Sequence, residues 1–360
     1  MNFKNNIFFF FLCFVLFFLF LSSPNKIIEY PSFVHWKTIA LITSLLIVVN
    51  GFKQCGYFYQ LSGKLIKYSK NQRQLSIILI LLTSALSTIL TNDVVLFIVI
   101  PLTMSIKQLN QKTINKLIIY EAISANVGST VSPIGNPQNI FIWHKWNISF
   151  LSFAFNLLSP TVIGIIILLF FSFLTFPSNK LEKIDKIKNK KNYPLFFLSL
   201  FSLIAIIVST EINYLYITAF LTVVLYTIFY PKTIKNTDWF LVLSFILIFI
   251  IFHLLYLNPS ISNFTKSFKA NSENIFNLSF LYSQLISNVP ATVFLSKFFT
   301  NYKPLIIGTN LGGNLLFFSS FANLIAIKLA KNKKIWFDFH KISIPFCIIY
   351  YLTVKSVLIN

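Results

Sequence analysis

The sequence predicts an all-α polytopic membrane protein of about nine spans plus two re-entrant hairpins, folded as two inverted repeats with broken helices. Three observations predict this. Apolar residues fill 56% of the 360 positions and charged residues only 11%, against roughly 25% charged in a soluble domain. The apolar residues run in stretches that suit a bilayer, about 20 residues each, with the charges collected between them. Four of those stretches are interrupted in mid-run by Gly, Pro, Asn, Ser or Thr.

Taken in order, residues 1–36 hold a first span, Ile7 to Leu21, and a loop. That run follows Lys4 like the core of a signal peptide, but no small-x-small cleavage site is evident around Leu21-Ser22-Ser23-Pro24, so an uncleaved span is expected. Residues 37–176 form repeat 1: a span from Lys37 to Lys53, a re-entrant hairpin over 75–105, a broken helix over 113–143, and a span from Leu151 to Phe176. Residues 177–237 carry a Lys-rich loop and two connecting spans, Pro194 to Thr210 and Asn213 to Tyr230. Residues 238–360 form repeat 2: a span from Asp238 to Leu257, a hairpin over 278–299, a broken helix over 304–329, and a last span from Trp336 to Ile359.

Lysine placement sets the sides. The loop with Lys53, Lys64, Lys67, Lys70 and Arg73 and the loop with Lys180, Lys183, Lys186, Lys188, Lys190 and Lys191 are both expected in the cytoplasm. Lys107, Lys112 and Lys116 then put both ends of 75–105 on that side, which makes it a hairpin with its tip near Asn92. Lys328, Lys331, Lys333 and Lys334 close the topology at the end of the second broken helix. A net charge of +21 would suit a nucleic-acid partner, but these lysines lie between apolar runs. The expected partner is the lipid bilayer, with no nucleic acid. Cys13, Cys55 and Cys347 are scattered, without metal spacing, and read as small apolar groups.

The repeat is visible in the residues. Asn126-Val127-Gly128 with Asn139 is matched by Asn310-Leu311-Gly312 with Asn323, both asparagine pairs 13 apart, and the hairpin tips match as Thr91-Asn92 and Ser287-Asn288. Unpaired backbone in hydrocarbon costs several kcal/mol per group. Four breaks at depth therefore imply one central cavity, with half-helix N-termini offering free N–H groups to an anion and unwound carbonyls offering oxygen to Na⁺.

In the first broken helix, Ala125 to Asn139, Gly128 and Gly135 are expected to take backbone angles closed to other residues. Pro133 and Pro137 stop helical bonding. Ser129, Thr130, Ser132, Asn136, Gln138 and Asn139 supply neutral donors and acceptors. Asp93 is a carboxylate in mid-run, which marks an ion or proton pathway or caps the helix from Val94 to Ile100; both readings stand. Glu121 reads as an interfacial carboxylate, Glu211 as a solvated turn residue and His253 as a satisfied core histidine. His35, His144, His253 and His340 are far apart, and no His-Glu-x-x-His, Walker loop or catalytic acid pair occurs, so the chain is not expected to be an enzyme.

The runs TNDVVLFIVIPLT (Thr91 to Thr103), ANVGSTVSPIGNPQN (Ala125 to Asn139) and SNVPATVFLS (Ser287 to Ser296) resemble the citrate-transporter-like permeases of the ion transporter superfamily. That superfamily also holds divalent-anion/Na⁺ symporters, arsenite permeases and some Na⁺/H⁺ antiporters. The resemblance spans Lys37 to Ile359 and is strongest to the anion-permease branch with the GNPQN loop. It implies two re-entrant hairpins, two unwound helices and, in many members, a homodimer. Dicarboxylate members bind a substrate carboxylate with a Ser-Asn-Thr signature at both tips. By position this falls on Thr91-Asn92-Asp93 and Ser287-Asn288-Val289, with the third position departing in both copies. Asp93 would there hold Na⁺ or a proton instead. The resemblance places the Na⁺ clamps on Asn92 with Gly128 to Pro137, and on Asn288 with Gly312 to Asn323.

The expectation is secondary transport of a small anion, a dicarboxylate or inorganic oxyanion, across the cytoplasmic (inner) membrane, coupled to Na⁺ or H⁺. Thr91, Asn92, Asn136, Pro137, Ser287, Asn288 and Ser320 are the expected substrate residues. Asp93, Asn126, Gly128, Ser129, Gly135, Asn139, Asn310, Gly312 and Asn323 are the expected ion-coupling residues. Na⁺ is the one bound metal anticipated, and no cofactor. The rivals are Na⁺/H⁺ antiport through Asp93, an arsenite-type permease, and a structural subunit whose four breaks pack dry.

Overall fold

The computed structural model describes residues 7–22, 24–57, 64, 68–106, 109–181, 191–330, 332 and 335–359. Lys67, Lys107, Lys183, Lys186, Lys188, Lys190, Lys331, Lys333 and Lys334, which enter the sidedness reading, lie outside the described residues, as does Lys4 before the first span. The principal helices are α1 (Ile7–Ser22), α2 (Trp36–Gln54), α3 (Gln72–Ser87), α4 (Asn92–Met104), α5 (Gln111–Ser129), α6 (Pro137–Lys145), α7 (Phe150–Thr175) and α8 (Tyr193–Glu211). They continue as α9 (Leu215–Phe229), α10 (Trp239–Leu257), α11 (Ser272–Ile286), α12 (Asn288–Leu295), α13 (Tyr302–Gly312), α14 (Phe321–Leu329) and α15 (Ile335–Val354). Five helices are long and apolar enough to cross a membrane: α2, α7, α8, α10, and α15 with the π-helical turn Lys355–Ile359 that extends it. With helices throughout and no strand among the described residues, this is an all-α polytopic membrane protein. Phe155 and Ile166 on α7, Phe201 on α8 and Phe220 on α9 stand exposed, as side chains that face lipid do.

Polar caps start the helices where the apolar runs begin. Asn71 accepts from Gln74 N for α3, Asn110 from Thr113 N for α5, and Ser149 from Ser152 N for α7. Asn192, Asp238 and Asn271 do the same for α8, α10 and α11. The Asn271 cap starts α11 at Ser272, ahead of the apolar run from Leu278. Its polar first turns are held by partners from the chain end: Glu273 pairs with Lys355 at 2.8 Å, and Tyr351 donates to Asn277 Oδ1 at 2.5 Å.

Loop contacts place the ends. Gln72 N donates to Asn179 O, Leu181 N to Lys70 O, and Arg73 Nε to Phe176 O. Asn192 N donates to Cys55 O. The described parts of the two Lys-rich loops thus meet at one end of the bundle. At the other end Phe150 N donates to Glu211 Oε1 and Lys37 Nζ to Asn213 Oδ1.

The hairpin α3–α4 packs on α5, and the hairpin α11–α12 on α13; α14 packs between α4 and α5. Helices α8 and α9 lean on α2, α1 on α10, and α7 on α15. Close helix approach is bought with glycine in both halves. A Cβ on Gly128 would meet Ser84 Cα and O at 2.4 Å, and one on Gly312 would meet Ser283 Cβ at 2.6 Å. The freedom of backbone angle expected of Gly128 is not what the structure uses: among the described residues the one glycine with positive φ is Gly56. Gly128 and Gly312 are there because a side chain would push the hairpin off the broken helix.

Candidate functional site

The breaks of both repeats converge on one polar cluster. The first hairpin turns at Thr91, whose φ of −68° and ψ of 146° end the turn and start α4. Asn92 N donates to Gly135 O at 2.9 Å, which ties the tip to the break of α5–α6. In the second repeat Asn288 N donates to Ser319 O at 2.9 Å, which ties its tip to the break of α13–α14 in the same way. Each tip asparagine also turns its Oδ1 onto its own helix start, Asn92 toward Asp93 N and Asn288 toward Val289 N.

Asn126 and Asn310 join the halves. Asn126 Oδ1 accepts from Asn92 Nδ2 and Ser320 Oγ, both at 3.0 Å. Its Nδ2 donates to Asn323 Oδ1 at 2.9 Å and Gly313 O at 3.2 Å. Asn310 Oδ1 accepts from Asn136 Nδ2 at 2.9 Å and Gln138 Nε2 at 3.1 Å. Its Nδ2 donates to Asn139 Oδ1 at 2.8 Å and Ile306 O at 3.0 Å. A carboxamide offers two donors and two acceptor sites, so both residues are fully satisfied. Each bridges to the break and the start of the second half of the other repeat's broken helix.

The freed carbonyls are gathered by the second asparagine of each pair. Asn139 Nδ2 lies 3.1, 3.0 and 2.9 Å from the carbonyl oxygens of Ser129, Thr130 and Ser132. Asn323 Nδ2 donates to Gly313 O at 2.8 Å and Leu316 O at 3.2 Å. An amide NH₂ has two protons, so three oxygens around Asn139 outnumber its donors. Oxygen clusters of that kind suit a monovalent cation. Asn136 and Ser320 cap α6 and α14, accepting from Asn139 N and Ala322 N, and Pro137 at the first position of α6 has no N–H to leave unpaired. The N-terminal amides expected to be free are thus covered by Asn and Ser oxygens.

Thr91, Asn92, Asp93, Asn126, Gly128, Ser129, Gly135, Asn136, Pro137, Asn139, Ser287, Asn288, Asn310, Gly312, Ser320 and Asn323 are all buried. All except Asp93, Gly128 and Gly312 belong to this network or its immediate backbone. Gly128 and Gly312 face the hairpin helices, as described above. Gly135 has no positive φ; a Cβ there would lie 2.3 Å from Ser129 O, so the tightness of the break demands glycine. Asp93 is 9% exposed, and its Oδ1, like Thr91 Oγ1, has no hydrogen-bond partner among the described residues. The side-chain oxygen bonded at the start of α4 is Asn92 Oδ1, on Asp93 N, and no bond from a described backbone N–H reaches the Asp93 carboxylate, so Asp93 does not act as its cap.

Ser287 takes φ 73° and ψ 157°, a region kept almost wholly by glycine and costing other residues about 1–3 kcal/mol. Its Oγ donates to Ser319 O at 3.1 Å. Ser287→Gly relieves the strain and loses that bond, while Ser287→Ala loses the bond, worth about 1 kcal/mol, and keeps the strain. Thermal unfolding in detergent is expected to rank glycine above alanine; the reverse order would refute the strained tip.

Glu121, expected as an interfacial carboxylate, is instead fully buried. Thr103 Oγ1 donates to its Oε1, while Oε2 has no partner among the described residues. Lys116, one turn away along α5, is too short a signal to reveal that burial. His253, by contrast, is the satisfied histidine expected, with Nδ1 2.9 Å from Lys297 Nζ and its ring stacked on Phe33.

A protein-family model described as "Citrate transporter" matches residues 7–320. The chain is 32% identical over 320 residues to the inner membrane protein YbiR of Escherichia coli, covering 88% of this chain and 86% of the relative. It is 37% identical over 300 residues to an uncharacterised transporter of Methanocaldococcus jannaschii, covering 82% of each. A shorter match, 30% identical over 137 residues, covers 38% of this chain and 24% of the putative transporter arsB of Dictyostelium discoideum. A polar centre that closes on itself would also suit a structural subunit; the kinship decides against that reading. Across most of its length the chain belongs to the citrate transporter family, and it is a multi-pass membrane transporter.

Proposed function

We propose that the chain carries a small oxyanion or carboxylate across the cytoplasmic membrane by secondary transport, coupled to Na⁺ or H⁺, with the Asn126–Asn310 cluster as its binding centre. The observation that carries this reading is the closure of the four helix N-termini by Asn92, Asn136, Asn288 and Ser320 oxygens. Each of those oxygens occupies a place that an anion's oxygen takes at a helix N-terminus. Solute binding then exchanges side-chain oxygen for ligand oxygen at little cost in unsatisfied backbone. The three carbonyls around Asn139 supply the matching place for Na⁺, and Asp93 supplies a group that takes up a proton. Alternating access follows when the hairpins and broken helices move against the spanning helices.

Gradient-driven uptake by proteoliposomes is the test, using a panel of carboxylates and inorganic oxyanions under Na⁺ or pH gradients. Wild type is expected to accumulate one class, and Asn92→Ala with Asn288→Ala to lose about tenfold or more, since each buried hydrogen bond to a charged ligand is worth about 1.5–3 kcal/mol. Unchanged uptake by the double variant would remove both tips from the site.

The unpartnered Asp93 Oδ1 favours a second reading, Na⁺/H⁺ antiport with no organic substrate. There Na⁺ collapses a preset pH gradient in wild type and fails to do so in Asp93→Asn. A pH gradient indifferent to Na⁺ excludes it.

A further inference from the structure

At the end of the bundle opposite the Lys-rich loops, six basic side chains from four elements crowd together. His35 precedes α2, and Lys37 lies in its first turn. His144 and Lys145 end α6, Lys297 follows α12, and His253 lies near the end of α10 beside Lys297. The His35 and His144 rings meet edge to face, 5.1 Å between centroids. Lys145 Nζ donates to Ser296 O at 2.5 Å and Ser296 Oγ at 2.8 Å, next in sequence to Lys297. Lys297 Nζ reaches His253 Nδ1, and Lys37 Nζ reaches Asn213 Oδ1.

Every partner in that description is neutral. The ion pairs among the described residues are Lys341–Asp338 and Lys355–Glu273, so none of Lys37, Lys145 and Lys297 has a carboxylate within bonding distance. Lys145 and Lys297 are each half-buried, where an uncompensated ammonium is costly. A second observation is independent of the charges. His144 is 7% exposed, and neither its Nδ1 nor its Nε2 has a hydrogen-bond partner among the described residues. A buried imidazole with two idle nitrogens, walled by lysines, lacks the acceptor it was built to meet. The local field agrees: burial and the charges of Lys145, Lys37 and Lys297 hold His35 below its ordinary pKa.

We propose that His144, His35, Lys145 and Lys297 form a second anion site at the outer mouth, which takes a small free oxyanion through charge-assisted hydrogen bonds before it reaches the centre. The site shares with the reading above only the choice of an anionic ligand. Apart from His35, which precedes α2, its residues come from α6 and the end of α12, the outward halves of the broken helix and of the second hairpin. An anion bound there therefore bridges the two elements whose inner ends hold Asn136 and Asn288. Free oxyanion and lipid phosphate share this chemistry; burial of His144 between protein helices favours the solute.

The test is a thermal-shift titration of the purified chain in neutral detergent with inorganic sulfate, against chloride at equal ionic strength. A ligand bound only by the folded state raises the apparent melting temperature. Wild type and Asn92→Ala/Asn288→Ala are expected to respond alike, while Lys145→Gln/Lys297→Gln needs about tenfold or more sulfate for the same shift. Should the double variant not fold, His144→Asn and Lys297→Met singly carry the comparison, with Lys297→Arg expected to retain the response. No sulfate response in wild type, or an equal response in the outer variants, overturns the proposal. A response lost only in the central variant assigns sulfate to the centre and overturns it too. Repeating the titration in phosphatidylcholine vesicles with and without phosphatidylglycerol separates the sources. Unchanged sulfate affinity supports a solute site, and competition by the anionic lipid overturns it in favour of a head group.

Discussion

Replacing Gly135 with alanine is expected to abolish uptake and to lower stability by about 3 kcal/mol, the upper range for overpacking a filled core. The new methyl would sit 2.3 Å from Ser129 O and 2.9 Å from Ser129 Cα. Both are backbone atoms of the turn that the break itself forms, so no side chain can rotate aside. Gly135 O also accepts the Asn92 N–H, and any shift of the break drags the first tip with it. Gly313→Ala is the informative control. Its Cβ would meet Asn288 Nδ2 at 2.9 Å, a side-chain atom that can move. Stability should then fall less than in Gly135→Ala while uptake still drops, because the atom that moves belongs to the second tip. Equal melting temperatures for Gly135→Ala and wild type would mean that the break is looser than the structure has it.

Asn126→Ala and Asn310→Ala come next in size, each expected to cost about 3 kcal/mol or more, since every buried polar group left unpaired costs about 1–3 kcal/mol. Removing the Asn126 carboxamide strands Asn92 Nδ2, Ser320 Oγ and Asn323 Oδ1 together. Removing that of Asn310 strands Gln138 Nε2 and Asn139 Oδ1 and leaves Asn136 Nδ2 with Ser129 Oγ alone. The losses should be alike, because the two residues hold corresponding places in inverted repeats. A double-mutant cycle between Asn126 and Asn323 should show strong coupling, whereas Asn126 and Asn310, which share no direct bond, should be closer to additive. Thermal unfolding of the three single and two double variants decides this, and near-wild-type stability for Asn126→Ala or Asn310→Ala would contradict the network.

Much of the fold was legible because a bilayer leaves few options. Apolar runs such as Asp238 to Leu257 can be little else than spans, and interruptions such as Ser129 to Asn139 must be satisfied by other protein groups. The common spacing of Asn126 with Asn139 and of Asn310 with Asn323 marked them as equivalents in the two halves, but not that they bond crosswise, Asn126 to Asn323 and Asn310 to Asn139. What was not legible depends on contacts between distant segments. The polar start of α11 is helical because Lys355 and Tyr351 return to it from the chain end. Gly128 serves close packing on Ser84 rather than an unusual backbone angle, which only the position of α3 reveals. The His35 and His144 rings meet although their spacing suggests nothing, because the start of α2 lies beside the end of α6. Glu121 follows the same rule, since Thr103 from the hairpin's return helix is what covers it.

The central claim is most directly tested by side-specific labelling of one residue at the cluster, Ser320→Cys, with Cys13, Cys55 and Cys347 replaced by serine. A membrane-impermeant thiol reagent is applied to oriented vesicles from either face, with and without a driving ion gradient. A transport centre predicts labelling from both faces, with the ratio shifted by the gradient and slowed by the transported solute. Labelling from neither face, or from one face regardless of gradient and solute, would contradict it.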